Sequence, residues 1–135
     1  MKNIFVDTGP FQALNDKNDQ YRVRAINVFN KFQNHALNYH TTDYILDEVY
    51  TGLLIKSGYQ AALHFEKFFS KANYNLVHIT PELFSRTKEA FRRFNKDKKW
   101  SFTDCTSYVV MKELKIKTAF TFDNNFEQMG FEILT

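Results

Sequence analysis

Cysteine is almost absent from this chain, and proline, glycine and long apolar runs are scarce. Cys105 is the only cysteine in 135 residues, which excludes an intrachain disulfide and a metal cluster built from thiolates. No apolar run approaches the roughly 18 residues of a membrane-spanning helix, so the sequence predicts no transmembrane segment. No long apolar run precedes Asp7 either, which argues against a signal peptide, and we expect a cytoplasmic protein.

The composition is that of one globular domain, which we predict to span residues 1–135. With 44% hydrophobic and 24% charged residues and only 4 glycines and 2 prolines, the chain is long enough to bury a core. Its 15 phenylalanines and 7 tyrosines predict an interior rich in aromatic rings. The formal net charge of +3 permits a polyanionic partner without requiring one.

Short apolar runs alternate with helical patterns along the whole chain. The predicted strands are 3–7, 36–41, 74–79, 117–122 and 131–134. The predicted helices are 10–15, 19–33, 43–56, 59–72, 81–95, 101–115 and a short one at 123–129. Because helices separate the strands, the pattern predicts an α/β fold with a central parallel sheet covered by helices on both faces.

Four acidic residues fall where the carboxyl edge of this sheet is expected. Asp7 ends the first strand, and Asp123 follows the fourth. Asp104 lies in the first turn of the helix before the fourth strand, and Glu48 in the second turn of the helix after the second. Ligands of open α/β sheets bind at this edge. We therefore expect the four side chains to converge there.

Glu48 shares its helix face mostly with apolar residues. Its neighbours at helical spacing are Tyr44, Ile45, Gly52 and Ile55. This pattern predicts that Glu48 points toward the protein. Because glycine has no Cβ, Gly52 is expected to let another backbone come close, one turn further along the helix.

The stretch WSFTDCTSY, residues 100–108, combines a helix start with a candidate site residue. Ser101 is expected to be the N-cap, and Trp100 to pack against the helix start. A capping box places Glu or Gln three residues after the cap, whereas this chain has Asp104. Asp104 is therefore either a first-turn acid favoured by the helix dipole or a carboxylate held there for chemistry.

Four carboxylates at one edge raise one another's pKa unless something compensates their charge. A hard divalent cation removes the conflict, and ligands that are all oxygen favour Mg²⁺ or Mn²⁺. Such an ion activates water and neutralises phosphate charge, which indicates phosphodiester hydrolysis. Taken singly, each acid is more simply a cap, a turn residue or a solvated charge. Hydroxyl groups that flank the acids could orient ligands or water, namely Thr8, Ser101, Thr103, Thr106 and Thr121.

A run of basic side chains precedes Asp104. Its simplest interpretation is a solvated face, yet these residues lie just before Asp104, where the phosphate backbone of a substrate would pass. The candidate RNA-binding residues are Arg92, Arg93, Lys96, Lys98 and Lys99.

Four segments in order resemble the small PIN-domain ribonucleases that act as VapC-type toxins in bacterial toxin–antitoxin pairs. They are FVDTG with Asp7, DYILDEVYTGL with Glu48, SFTDCTSY with Asp104, and TFDNNF with Asp123 and Phe126, and together they span essentially the whole chain. The resemblance implies a PIN-like α/β/α sandwich with a five-stranded parallel sheet. It also implies an endoribonuclease whose four acids are catalytic and bind Mg²⁺ or Mn²⁺, which dimerises and is silenced by a cognate antitoxin. Asn124-Asn125 departs from the family pattern, and this leaves the number of metal ions open.

Helices 43–56 and 59–72 carry more large apolar side chains than two short helices can turn toward a sheet. The surplus predicts an exposed groove for an amphipathic antitoxin helix, with a homodimer seam as the alternative. The candidates are Tyr44, Tyr50, Leu54, Tyr59, Phe65, Phe68 and Phe69.

Two other functions remain as alternatives to a nuclease. A catalytically degenerate PIN module would bind RNA or a protein without cleaving it, although the intact set of four acids argues against this. A phosphatase with an aspartyl nucleophile would need a second Asp two residues after Asp7, where Gly9 stands. A phospho-receiver would need paired acids at the first strand, and there is only one.

Overall fold

The computed structural model describes residues 2–135 and consists of five strands and seven helices in that range. The strands are β1 Lys2–Val6, β2 Leu37–Thr42, β3 Asn75–Val77, β4 Thr118–Phe120 and β5 Glu132–Ile133. The helices are α1 Thr8–Asn15, α2 Arg22–Lys31, α3 Asp43–Ser57, α4 Tyr59–Lys71, α5 Pro81–Phe94, α6 Phe102–Glu113 and α7 Asn125–Gln128. The predicted order of strands and helices is confirmed, with shifts at the element ends.

The five strands form one parallel sheet in the order β3-β2-β1-β4-β5. β1 lies in the middle, and Ile4 pairs with Tyr39 of β2 on one side and Thr118 of β4 on the other. Its last three residues are almost completely buried, which explains a continuous apolar run instead of an alternating one. The residue after β1 therefore emerges at the centre of the carboxyl edge.

The helices pack in two groups, α1 to α4 with one another and α5 with α6. Together with the sheet this gives the predicted three-layer α/β/α architecture. The start of α5 shows how local residues fix a helix end. The Thr80 hydroxyl accepts the N–H of Leu83 as the N-cap, and Pro81 occupies the first helical position. No helix in residues 2–135 combines the length and the hydropathy needed to cross a membrane.

The predicted aromatic interior is confirmed. Phe5 and Phe126 are fully buried and stacked at the sheet, and Phe11 contacts Phe65 edge-on beneath α4. The buried Trp100 packs on rings from α5 and α6, as expected at the start of α6.

The surplus of apolar side chains on α3 and α4 is smaller than predicted. Phe65 is fully buried, and Phe68 and Phe69 pack against the core. What remains outside is a patch that we term the α3–α4 surface, made of Tyr50, Leu54, Ile55 and Tyr59. Three of its residues line a cavity of about 240 Å³: Tyr50, Leu54 and Tyr59.

Candidate active site

The four acids predicted from the sequence line one open cleft at the carboxyl edge of the sheet. Its volume is about 810 Å³, and Asp7, Glu48, Asp104 and Asp123 all contribute to its wall. The cleft exists because β1 and β4 are neighbours and end side by side, while α1, α3 and α6 begin beside that edge. The structure thus brings together all four predicted acids.

Asp7 is the most buried of the four acids. It follows β1, its backbone N–H donates to the carbonyl of Phe120 at 3.0 Å, and only 7% of its surface is exposed. The hydroxyl of Thr121 donates to its Oδ2 at 2.7 Å. The same hydroxyl oxygen accepts the backbone N–H of Asp123 at 3.0 Å. Thr121 therefore connects the ends of β1 and β4 at the floor of the cleft.

The fold opposes ionisation of the innermost carboxyls. The pKa of Asp7 is raised to about 7, chiefly by burial and to a smaller extent by the charges of Asp104 and Asp123, while the hydrogen bonds from Thr121 and Thr8 oppose the increase. Burial also raises the pKa of Asp104, and the charge of Asp123 adds to this. These couplings place three of the acids close enough to affect one another.

Asp104 completes a capping box at the start of α6. The Ser101 hydroxyl accepts the N–H of Asp104 at 3.0 Å, and Asp104 Oδ2 accepts the N–H of Ser101 at 3.2 Å. The predicted N-cap is confirmed, and the shorter Asp fills the position usually held by Glu or Gln. Asp104 Oδ2 also accepts from the side-chain amide of Asn125 at 3.0 Å. This second bond ties the start of α6 to the loop after β4.

Glu48 lies differently from the sequence prediction. The buried face of α3 is formed by Ile45, Val49 and Leu53, and Glu48 is exposed toward the cleft, so its predicted inward orientation is wrong. Its Oε1 accepts from the Thr8 hydroxyl at 2.8 Å, which links α3 to the start of α1.

The Gln12 side chain, and not a second backbone, lies close to Gly52. A Cβ at this position would collide with the amide of Gln12 on α1. The expectation that a second backbone would come close at Gly52 is therefore wrong. The glycine still lets α1 and α3 pack tightly beside the cleft, where Gln12 forms part of the wall.

Asp123 and the residues after it complete the cleft. Asp123 is exposed, and its Oδ1 accepts the N–H of Asn125 at 2.9 Å, which closes a turn before α7. The contact between Asn125 and Asp104 was missed by the sequence analysis, which treated Asn124-Asn125 only as a departure from the family pattern. An Asp side chain often bonds the backbone two residues further on, and this turn signal at Asp123 could have indicated that Asn125 is held beside the acids.

Three of the five flanking hydroxyls lie at the cleft or support it. Thr8 and Ser101 line it, and Thr121 holds Asp7. Thr103 and Thr106 lie outside its wall, and the Thr106 hydroxyl bonds the carbonyl of Thr103 within α6. Thr106 is fully buried, so it cannot orient a ligand in the cleft.

The predicted basic residues do not line the cleft. Arg92 and Arg93 lie in the last turn of α5, Arg93 lies over the ring of Phe94, and Lys98 contacts Asp97 at 3.4 Å. The cation that does line the wall is Lys56, which the sequence analysis did not select. The RNA-binding role of the five basic residues stays a prediction.

No basic side chain neutralises the four acids within residues 2–135. The ion pairs there join Lys2 to Glu132, His78 to Asp43, Arg86 to Glu113 and Lys98 to Asp97. Across the same residues, no three Asp, Glu, His or Cys side chains are placed to hold a metal ion as they stand. One carboxylate oxygen of each of Asp7, Glu48 and Asp104 accepts a hydrogen bond from a neighbouring donor.

The PIN domain family model matches residues 4–132. The chain is 28% identical over 128 residues to the 23S rRNA-specific endonuclease VapC20 of Mycobacterium tuberculosis, covering 95% of both proteins. The crystal structure of Mycobacterium tuberculosis VapC20, described as a sarcin-ricin loop cleaving toxin, matches with a TM-score of 0.85 at 27% identity over 95% of each chain.

More distant structures share the fold alone. VapBC2 from Rickettsia felis, bound to a promoter DNA fragment, gives a TM-score of 0.69 at 10% identity and covers 97% of this chain and 96% of its own. FitAcB from Neisseria gonorrhoeae gives 0.66 at 9% identity, with coverages of 98% and 96%.

Proposed function

Because this chain belongs to the PIN domain family, we propose that it is a metal-dependent endoribonuclease that hydrolyses phosphodiester bonds in RNA. The observation that supports this most directly is the cleft in which Asp7, Glu48, Asp104 and Asp123 stand together. The likeness to an rRNA-specific endonuclease over 95% of both chains supports RNA as the substrate. The same likeness supports a role as the toxin of a toxin–antitoxin pair.

The four carboxylates are the proposed ligands of Mg²⁺ or Mn²⁺. Their chemistry fits a hard cation, since they offer only oxygen and have no basic partner within residues 2–135. A bound cation would polarise the phosphate and lower the pKa of a water molecule. Ionised Asp7 would gain most from such a charge, because burial makes its carboxylate costly in the metal-free protein.

The hydrogen bonds of the cleft give each acid a defined starting position. Thr121 fixes Asp7 from below, and Thr8 holds Glu48 against α1. Both bonds at Asp104 end on Oδ2, which leaves Oδ1 for a ligand. Binding of a cation by three or more of these groups requires side-chain rotation, because as they stand no three acids among residues 2–135 share one position.

The proposed protein partner is a cognate antitoxin that docks on the α3–α4 surface. Ile55 and Tyr59 are exposed by 77% and 63%, and a cavity of about 240 Å³ lies beside Leu54 and Tyr59. An amphipathic helix would bury this surface. A second copy of the chain is the alternative occupant. The two occupants can be distinguished, because only docking of an antitoxin would make the accessibility of the α3–α4 surface depend on added partner protein.

A cleavage assay tests the proposed activity. Purified protein should cut RNA with added Mg²⁺ or Mn²⁺, and should lose this activity with EDTA. Asp123→Asn should strongly reduce cleavage, whereas Asp97→Asn, which changes an exposed acid outside the cleft, should not. RNA binding without cleavage under any divalent cation would instead favour a degenerate PIN module.

A further inference from the structure

An aromatic pair stands beside the acids in the same cleft. Tyr21 and Phe122 both line the cavity that contains Asp7 and Asp123. Their rings are stacked, with centroids 4.8 Å apart and planes inclined by 18°. The guanidinium of Arg24 lies over the Phe122 ring at 5.0 Å from its centroid. We term this arrangement of Tyr21, Phe122 and Arg24 the platform.

Local contacts hold the platform in place relative to the acids. The N–H of Tyr21 donates to Oδ1 of Asp19 at 2.8 Å, which closes a turn just before α2. Phe122 directly precedes Asp123, and a Cβ on Gly9 would lie only 3.3 Å from the Phe122 ring. The lack of a side chain at Gly9 thus lets the ring pack against the start of α1.

Tyr21 is the outer member of the pair. Phe122 reaches the core through an edge-on contact with the buried ring of Phe120, at 6.0 Å between centroids. Tyr21 adds a second aromatic layer, keeps 38% of its surface exposed and forms part of the cleft wall. An aromatic ring that is preorganised and exposed beside a proposed phosphodiester site is suited to stacking on a nucleobase.

We propose that Tyr21, supported by Phe122 and Arg24, stacks on an unpaired base of the RNA that is cleaved at the acids. This inference rests on the proposed endoribonuclease activity and narrows its substrate to RNA with an unpaired nucleotide beside the scissile bond. Bases inside a duplex stack on one another and cannot reach a protein ring. Arg24 and Lys56 supply positive charge for the adjoining phosphates.

Binding measurements in the Asp7→Asn background test the platform without cleavage of the RNA. Tyr21→Ala should weaken binding of a short single-stranded RNA about 5- to 150-fold, which is roughly 1–3 kcal/mol at about 1.4 kcal/mol per tenfold. Tyr21→Phe should retain the affinity, because the ring face is kept. Phe84→Ala is the matched control, because this aromatic residue on α5 is as exposed as Tyr21, at 38%, and lies outside the cleft. A duplex without loops should compete poorly.

A fluorescent adenine analogue in the RNA gives a second readout. The parent protein should quench it on binding, and Tyr21→Leu should not, although leucine preserves apolar packing on Phe122. Unchanged affinity and quenching in Tyr21→Leu and Tyr21→Ala would overturn the stacking role of the platform. Metal-dependent cleavage of RNA by the parent protein would still support the proposed function in that case. Equal losses in Tyr21→Phe and Tyr21→Ala would also overturn stacking. Failure of the parent to bind any single-stranded RNA would overturn stacking, and loss of metal-dependent RNA cleavage as well would overturn the proposed function.

Discussion

Replacing Asp7 by Asn should stabilise the metal-free protein at neutral and alkaline pH. Asp7 is buried at the centre of the sheet edge, where desolvation, together with the smaller effect of the charges of Asp104 and Asp123, raises its pKa from the ordinary 3.8 to about 7. Asn cannot ionise, so it avoids this cost. It can still accept the hydroxyl of Thr121, which donates to Asp7 at 2.7 Å.

The sign of the effect follows from proton binding. Between the unfolded pKa of 3.8 and the folded pKa of about 7, the native state holds a proton that the unfolded chain has lost. Stability therefore falls as pH rises through this window, and it stays lower above it. The separation corresponds to roughly 4 kcal/mol, and an unsatisfied Asn N–H would cost about 1–3 kcal/mol of this. We expect a net gain of about 1–3 kcal/mol for Asp7→Asn.

Thermal and urea unfolding in EDTA from about pH 5 to about pH 8 measure this prediction. At the alkaline end, Asp7→Asn should melt higher, by roughly 3–5 °C for each kcal/mol gained. Its stability should also depend less on pH than that of the wild-type protein. Asp47→Asn is the control, because it removes an exposed acid of α3 that the cleft does not use.

Two results would refute this reasoning. One is a variant that is no more stable than wild type at alkaline pH, and the other is an unchanged pH slope. Added Mg²⁺ or Mn²⁺ should remove most or all of the difference in stability between the two proteins, since a ligand at a hundredfold excess over its Kd stabilises the native state by about 2.7 kcal/mol. The wild-type protein, which keeps the Asp7 carboxylate, should gain this full stabilisation, and Asp7→Asn should gain less.

Three further predictions concern the acids, the basic residues and the partner. Asp104→Asn, Glu48→Gln and Asp123→Asn should each strongly reduce Mg²⁺-dependent cleavage while unfolding stays cooperative. An unfolded Asp104→Asn chain whose folded fraction cleaves normally would show that Asp104 serves only as a cap. Alanine at Lys96, Lys98 and Lys99 should weaken RNA binding equally across sequences. The slope of log affinity against log salt concentration should become shallower by about 0.7 for each single-strand phosphate contact that is lost. An unchanged slope would show that these lysines form only a solvated face. Coexpression with the protein from the neighbouring reading frame should increase amide protection in residues 43–72, and protection already complete without it would exclude the docking site.

The fold was predictable because local signals and tertiary structure agree. The apolar run of β1 and the N-cap at Ser101 each predicted an element that the structure contains. The main shift at an element end is at α2, which was predicted from residue 19 and begins at Arg22. The carboxylate of Asp19 accepts the N–H of Tyr21 and holds those residues in a turn, a competition that apolar periodicity does not register.

The site was predictable as a set of acids and not in its detailed contacts. The positions of Asp7 and Asp123 follow from strand ends in a parallel sheet, so topology alone brings them together. The direction of Glu48 depends on how α1 packs against α3, where Gly52 faces Gln12. That packing joins segments far apart in sequence, and helical periodicity within α3 gives no information about it.

We propose that Asp104 is a site residue that the helix cap holds in place. Either Asp or Glu can accept the N–H of Ser101, so the capping box alone does not require the shorter residue. A first-turn acid that only stabilised a helix would gain most when exposed and ionised. Asp104 is instead half-buried, and both burial and the charge of Asp123 raise its pKa. The position costs stability, and the bonds from Ser101 and Asn125 offset part of that cost while keeping the carboxylate at the cleft.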